Sequence, residues 1–381
     1  MAYQITKKSS FFLKVIRKLK LYRLKLIPEI LIRMIKFDNL RVFYRYKNHS
    51  FFTHPLFERV YDNPPLNFTT KKRAEIFHWY HSADSDFNYN NKFVIEPIDH
   101  PLSILRDFEP FDGIKNQNNI FNIYNLKSCK KIILSSKGQY ALFIKYFPSL
   151  KDKISLIYPP IVPKKLSVKK EDNSIIYLLI ASDYKKKATD LVIQAWAKAD
   201  NKISKLILVC PNLPIEVKEK INKDATIQHY TFVSETKKEE FYRNSDIALI
   251  PMHTDGTAVF VEAIEYGLPI IAMRSQHSSN FTERGMGLQI EVPFYFYDFE
   301  YYGKKWRTWD EFFEIIEQSK NRGEFNFVID EFKRLFRYFE KDQKEIKKMK
   351  NEVLKRRDTE FSYEIRNKQL LEIYKSCNNK N

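Results

Sequence analysis

The 381-residue chain is poor in cysteine and in glycine, with three of the first and eight of the second. Cys129, Cys210 and Cys377 stand far apart in no CxxC or Cys/His pattern. That spacing argues against a disulfide framework or a structural zinc site and for a reducing compartment. No run reaches the roughly 20 uncharged apolar residues of a membrane-spanning helix, and no stretch reads as a signal peptide with a small-residue cleavage site. A cytoplasmic location is the expectation. There is also no repeat at a fixed short period, which excludes a solenoid or an array.

What is present is enough apolar material for cores: 44% hydrophobic residues, 15% aromatic. At this length two domains are the default, because one core rarely serves more than about 250–300 residues. The net charge of +18 is placed unevenly. Residues 1–50 carry 13 Lys and Arg against only Glu29 and Asp38. Within them, "FFLKVIRKLKLYRLKLIPEILIRMIKF" interleaves cations with Leu, Ile and Phe. Such a segment suits the surface of an anionic bilayer, each cation near it adding about 1 kcal/mol. A solvated helix face in a Lys-rich chain fits the same residues. No nucleic-acid-binding module is recognisable, so no nucleic acid partner is expected.

Short apolar strands alternate with helical stretches in two blocks. The first holds "AEIFHWYH", "KFVIEPIDHP", "KKIILSS" and "ISLIYPPI", with the helix "GQYALFIKYFPSL" before the last. The second holds "IIYLLIA", "KLILVC", "TIQHYTFV", "IALIPM" and "PIIAM", separated by "ATDLVIQAWAKA", "KKEEFYRN" and "AVFVEAIEYG". Continuous apolar strands alternating with helices imply parallel sheets covered on both faces, hence an α/β chain of two doubly wound domains. "YPPIVPKKLSVKKEDN" (roughly 159–173) is the linker candidate. An aromatic stretch follows, then a charged helical stretch over 328–357 whose later part reads as an exposed helix with a solvated face. The last helix, "FSYEIRNKQLLEIYKS", sets Ile365, Leu370, Ile373 and Tyr374 on or near one side. The opening strands of the first domain are hard to place within 40–75.

The most informative stretch is "HTDGTAVFVEAIEYGLPIIA", His253 to Ala272. Ligands of doubly wound sheets bind outside the carboxyl ends of the strands, where loops enter helix N-termini. Here the strand "IALIPM" leads through "HTDG" into a helix starting at Thr257 or Ala258. Gly256 allows close approach of the backbone, and the N–H groups of Thr257, Ala258 and Val259 can face an anion such as a diphosphate. Glu262 lies in an apolar run, where a carboxylate needs hydrogen-bond donors. A ribose or sugar diol would supply them; a solvated glutamate on an ordinary helix fits equally well. Gly267 ends the helix.

"FYRNSDIALIPMHTDGTAVFVEAIEYGLPIIA" resembles the signature of the retaining GT-B glycosyltransferases of GT4 type (glycosyl transferases group 1). Three further stretches resemble that family in the right order: "KSCKKIILSSKGQYALFIKYFPSLKDKISLIYPPI", "KKKATDLVIQAWAKA" and "FSYEIRNKQLLEIYKS". Together they cover most of 120–376; residues 1–75 match nothing in it. The resemblance implies an α/β GT-B fold: two doubly wound Rossmann-like domains facing a cleft, with a C-terminal helix crossing back. The implied division is a basic segment (1–47), an acceptor-side domain (48–163), a nucleotide-sugar-binding domain (164–358) and the returning helix (359–381).

The family carries two glutamates eight positions apart, the second holding the nucleotide ribose and the first the transferred sugar. Glu262 matches the second. Thr254 stands eight positions before it, and Asp255-Gly256 replaces the family's Glu-Gly if the loop is one residue shorter. Lys187 matches the phosphate-contacting lysine. The usual Gly-Arg pair upstream reads Ala181-Ser182, with Lys185 or Lys186 as substitutes for the missing cation. His100 stands where the family often has a donor-facing histidine; a packed or capping role fits it as well, and His78 and His81 are weaker rivals. The implied activity is sugar transfer from a nucleotide diphosphate sugar to a glycan or lipid-linked acceptor, with retention and without a metal or other cofactor. The donor phosphate would take the acceptor's proton. Surface polysaccharide or glycolipid assembly at the inner face of the membrane is the implied setting. The two departures motivate an alternative, a degenerate relative that binds sugar nucleotide or glycan without efficient transfer. A basic membrane- or nucleic-acid-binding protein with a glycosyltransferase-like scaffold is the other.

Overall fold

The computed structural model describes residues 42–46, 76–80, 90–97, 117–166, 174–253, 256–298, 300–301, 304–305 and 308–378. Most of the basic segment, His81, His100, Thr254 and Asp255 lie outside the described residues. The chain divides into two compact units, one running through Val162 and resuming at Glu360, the other spanning Pro163–Thr359.

The first unit is built on a parallel sheet of β1 (Val42–Tyr46), β2 (Ile76–Tyr80), β3 (Phe93–Glu96), β4 (Cys129–Leu134) and β5 (Ile154–Leu156), arranged in chain order. β1 falls inside the stretch expected as a separate basic segment. Its sequence, VFYRY, is β-branched and aromatic, and it pairs along its whole length with β2. Charge averaged over 50 residues hides such a short strand.

Two helices, α1 (Gln117–Asn125) and α2 (Lys137–Tyr146), belong to this unit. Ser136 caps α2 by accepting from the Gln139 N–H. Strand residues alternate between two buried faces. Phe77, Trp79, Phe93, Ile95, Ile132 and Leu134 pack with Ile120 and Tyr124 of α1 and Phe143 of α2. Ile76, Val94 and Ile133 pack instead against the C-terminal helix, here α11 (Tyr363–Asn378), through Leu370, Tyr374 and Cys377. The buried stripe of that helix is Arg366, Leu370, Tyr374 and Cys377 rather than the expected set, and Ile365 is only half-buried. The expected linker is partly fixed as well: Pro159–Ile161 are buried and the Ile161 N–H donates to the Phe361 carbonyl.

The second unit holds six parallel strands: β6 (Ile175–Ile180), β7 (Ser204–Val209), β8 (Ile227–Tyr230), β9 (Ile247–Ile250), β10 (Ile270–Met273) and β11 (Gly287–Ile290). Their spatial order is β11-β10-β9-β6-β7-β8. The chain starts in the middle, winds outward to β8, returns to β9 and winds outward the other way. That reversal leaves a topological switch point between β6 and β9. The connecting helices are α3 (Thr189–Ala199), α4 (Ile215–Ile221), α5 (Glu235–Asn244), α6 (Thr257–Glu265) and α7 (Ser278–Thr282).

A two-stranded ribbon, β12 (Glu300–Tyr301) and β13 (Lys304–Lys305), precedes α8 (Trp309–Asn321). The charged helical stretch expected over 328–357 forms two helices, α9 (Asn326–Lys341) and α10 (Gln343–Thr359), broken at Asp342 where the backbone leaves the helical region. Nor is α10 merely solvated. It buries Met349, Val353, Arg356 and Arg357, and Arg357 donates to the Glu265 carbonyl at the end of α6. α9 packs on α3 and β6 through Phe336, Trp196 and Tyr177, whose rings meet edge to face at 5.0–5.5 Å.

Candidate functional site

At the switch point the chain leaves β9 through Pro251, Met252 and His253 and enters α6 after Gly256. Among the described residues no side chain caps α6, and no acidic residue lies in its first turn. Its first N–H groups therefore face outward with the positive end of the helix dipole. The Lys187 ammonium lies 3.4 Å from the Met252 sulfur and 3.4 Å from where a Cβ on Gly256 would stand. Lys187, Gly256, Thr257 and Ala258, separated by some 70 residues in the chain, thus meet at the carboxyl ends of β6 and β9. Lys187 lines a recess there together with Ile180, Ile250, Met252, Tyr242 and Val259.

Gly256 itself has φ −179°, an extended backbone open to any residue. Its small size leaves room beside Lys187; its φ has no need of glycine. Gly267 is the other case. It adopts φ +71°, and a Cβ there would come within 2.5 Å of Leu354. The helix ends there as expected.

The loop that presents Lys187 is organised by a residue the sequence reading passed over. Asp183 accepts the backbone N–H groups of Lys185 and Lys186 at 3.0 and 2.8 Å. Burial raises its carboxyl, but these N–H groups and Asn212 outweigh that and hold it below the usual range. Lys185 and Lys186 are exposed. Ala188, which follows Lys187, sits in the left-handed region at φ +44° and is buried. A glycine is the ordinary occupant of such a position.

Glu262 is half-buried and already partnered: Tyr242 donates to it at 2.9 Å and Lys238 at 3.3 Å, both from α5. Burial lowers Lys238, but Glu262 and Glu235 beside it raise it above the ordinary lysine range. Glu265, at the end of α6, is buried. His253 is buried, and among the described residues neither ring nitrogen has a hydrogen-bond partner. Its ring meets Phe325 edge-on at 5.3 Å, and burial together with the nearby Lys320 cation keeps it neutral. Lys320 in turn pairs with Asp190 of α3 at 2.7 Å. No group of three or more His, Cys, Asp or Glu among the described residues is placed to hold a metal ion.

The first unit contains a second polar group. His78, weighed in the sequence only as a weak alternative to His100, lies under α11. Its Nδ1 meets the Tyr374 hydroxyl and its Nε2 lies 3.2 Å from Glu96. Arg366 of α11 grips Glu96 with one nitrogen at 2.8 and 3.0 Å and donates to the Tyr158 carbonyl with another. Every member is buried, so this group ties the returning helix to the sheet and is not open to a ligand. The signal for it was a lone carboxylate ending the apolar strand FVIE and an arginine on the apolar stripe of the last helix.

Residues 174–292 match the family model Glycosyl transferases group 1. No curated protein matches the chain. Among solved structures it is similar to a glycosyltransferase from Rickettsia africae, with TM-score 0.54, 16% identity, and 81% of this chain covering 79% of that one. It is also similar to HepE from Anabaena, solved with UDP and glucose, with TM-score 0.51 and 14% identity over 80% of this chain and 78% of that one. The fold is GT-B, with two Rossmann-like domains.

Proposed function

We propose that this protein is a retaining glycosyltransferase that moves a sugar from a nucleoside diphosphate sugar to a glycan or lipid-linked acceptor. The observation that carries the proposal is the meeting of Lys187 with the uncapped N-terminus of α6 at the switch point, inside the region matching Glycosyl transferases group 1. As the bond from the anomeric carbon to the diphosphate breaks, negative charge grows on the departing phosphate. The Lys187 ammonium and the N–H groups of Thr257 and Ala258 are in place beforehand to take it, the arrangement that gives electrostatic catalysis its strength. The acceptor hydroxyl closes the new bond on the same face, and its proton passes to the departing phosphate. No metal enters the scheme.

Glu262 holds the ribose diol, sharing its carboxylate between the sugar hydroxyls and Tyr242. Asp255 takes the transferred sugar in place of the glutamate of the family pattern, and His100 is the donor-contacting histidine that the family pattern implies. The part of the basic segment ahead of β1, residues 1–41, lies on the anionic inner face of the membrane, where a surface polysaccharide or glycolipid acceptor would be met. Deleting it should abolish low-salt sedimentation with anionic liposomes; sedimentation that survives the deletion would sink this part. Thr254 and the Ala181-Ser182 pair favour a second reading, a binder of sugar nucleotide or glycan with little transfer activity.

A thermal-shift screen against nucleotide sugars tests the whole, with UDP-glucose first because HepE was solved with UDP and glucose. A ligand that binds only the native state raises the midpoint in step with its affinity. A stabilising donor whose transfer or hydrolysis is lost in Asp255→Ala and Glu262→Ala supports the transferase. A flat panel, or activity unchanged in both variants, refutes the assignment; a shift without turnover favours the second reading.

A further inference from the structure

Lys187 stands one residue ahead of a strained joint. Ala188, at φ +44° and ψ +33°, is fully buried and links the lysine loop to the first turn of α3. An L-residue other than glycine resists that conformation, and it persists only where the surroundings fix the chain on both sides. Ahead of the joint the fixing is local. The N–H groups of Lys187, Ala188 and Thr189 donate to the carbonyls of Asp183, Lys185 and Tyr184, each at 3.1 Å. The exit of β9 adds one bond, from the His253 N–H to the Lys186 carbonyl at 3.2 Å.

Behind the joint the anchor comes from α8. Asp190 lies in the first turn of α3, yet among the described residues no side chain caps that helix. Its Oδ2 takes the Lys320 ammonium at 2.7 Å, and its Oδ1 is buried with no hydrogen-bond partner. Lys320 is thus the counterion of this carboxylate, brought from the last turn of α8, 130 residues away in the chain. The two side chains are 14% and 15% exposed, whereas the other acid beside Lys320, Glu317 at 3.4 Å, is on the same helix and 48% exposed. The Lys320 cation also lies near enough to His253 to help keep its ring neutral. One cation therefore acts on both segments that meet at the switch point, the start of α3 and the exit of β9.

We propose that Lys320 is a positioning residue for the phosphate end of the donor site: by holding Asp190 it fixes the far side of the Ala188 joint and so aims the Lys187 ammonium. This rests on the donor reading above and adds to it what keeps Lys187 in place before a ligand arrives. Lys320 acts through Lys187 and needs no contact with the donor itself.

The test is a double-mutant cycle on the full chain, read by calorimetric titration with UDP and with inorganic diphosphate. It uses wild type, Lys187→Met, Lys320→Met and the double variant; methionine keeps an apolar stem and removes the charge. Lys320→Met should weaken both ligands by roughly 5- to 50-fold, much of what one charge-assisted hydrogen bond is worth. Added to Lys187→Met it should cost less than about twofold more, since its effect passes through the residue already removed. Losses that multiply in the double variant overturn the proposal, because a merely structural role at Lys320 gives that result. Wild-type affinity in Lys320→Met overturns it as well and leaves the donor reading intact. Wild-type affinity in Lys187→Met, or a wild-type chain that binds neither ligand, overturns both. Should Lys320→Met not fold, the isosteric Asp190→Asn runs the same cycle with the same outcomes.

Discussion

Arg366, in the last helix, donates two hydrogen bonds to Glu96, at the end of a strand 270 residues earlier, and both side chains are buried. Removing one partner of a buried ion pair strands the other charge in a low-dielectric interior, at a cost of about 3–5 kcal/mol. Arg366→Ala should therefore destabilise the first unit by about that amount in denaturant unfolding. The pair Glu96→Gln with Arg366→Met should recover most of it. A single-variant loss below about 1 kcal/mol would show that the pair does not hold the helix.

The same group sets an acid limit on stability. Burial pushes His78 below its ordinary value, outweighing the pull of Glu96, and Arg366 pushes it the same way. Burial raises Glu96, but Arg366 and His78 together bring it below the usual carboxylate range. Both folded-state values are depressed, so each contribution is complete above the unfolded pKa and is lost as pH falls through the folded one. The His78 part should begin to fade below about pH 6.5 and the Glu96 part below about pH 4.3. Thermal midpoints of wild type and His78→Asn, measured from pH 7.5 to 5, check this. The wild-type curve should fall more steeply, and parallel curves would contradict it.

Two glycines near one sheet should respond oppositely to alanine. At Gly256 the new Cβ would sit 3.4 Å from the Lys187 ammonium with an unstrained φ, so stability should change by less than about 0.5 kcal/mol. Binding of a nucleoside diphosphate should nonetheless weaken, because the methyl stands in the proposed phosphate site. At Gly287 the Cβ would come within 2.1 Å of the Ile270 carbonyl oxygen, part of the β10 backbone. That clash should cost about 1–3 kcal/mol or more. Equal melting points for the two variants would refute the comparison.

Ala188 offers a stabilising change. At φ +44° its Cβ crowds the backbone, a strain of roughly 1–2 kcal/mol that glycine does not feel. Ala188→Gly should raise stability by about 0.5–1 kcal/mol after the extra chain entropy of glycine is counted. A loss of stability on denaturant unfolding would mean that the buried methyl contributes more than the strain.

Tyr242 and Lys238 orient Glu262 before any ligand arrives. Tyr242→Phe should therefore raise the KM for a nucleotide sugar several-fold with a smaller change in kcat. A variant with wild-type KM would free Glu262 of its dependence on α5.

The alternation of strands and helices was legible because a parallel strand covered on both faces must be apolar along its whole length. The switch-point loop was legible too, since glycine, a helix start and a closing Gly267 mark it within twenty residues. Sequence spacing could not show that Lys187 stands beside Gly256, because that depends on β6 and β9 being neighbours in the sheet. It could not show the break at Asp342 either, since charged helical residues continue on both sides of it.

By itself the sequence determined the α/β class and the βα rhythm of both units, consequences of local periodicity and of where apolar residues recur; the return of the last helix to the first unit was implied only by the family resemblance. Only the tertiary structure decided which polar residues are buried together. Periodicity assigns Arg366 and Glu96 to apolar faces, where an isolated charge would be prohibitively costly; whether a partner arrives from 270 residues away is settled by how the sheet and the last helix pack.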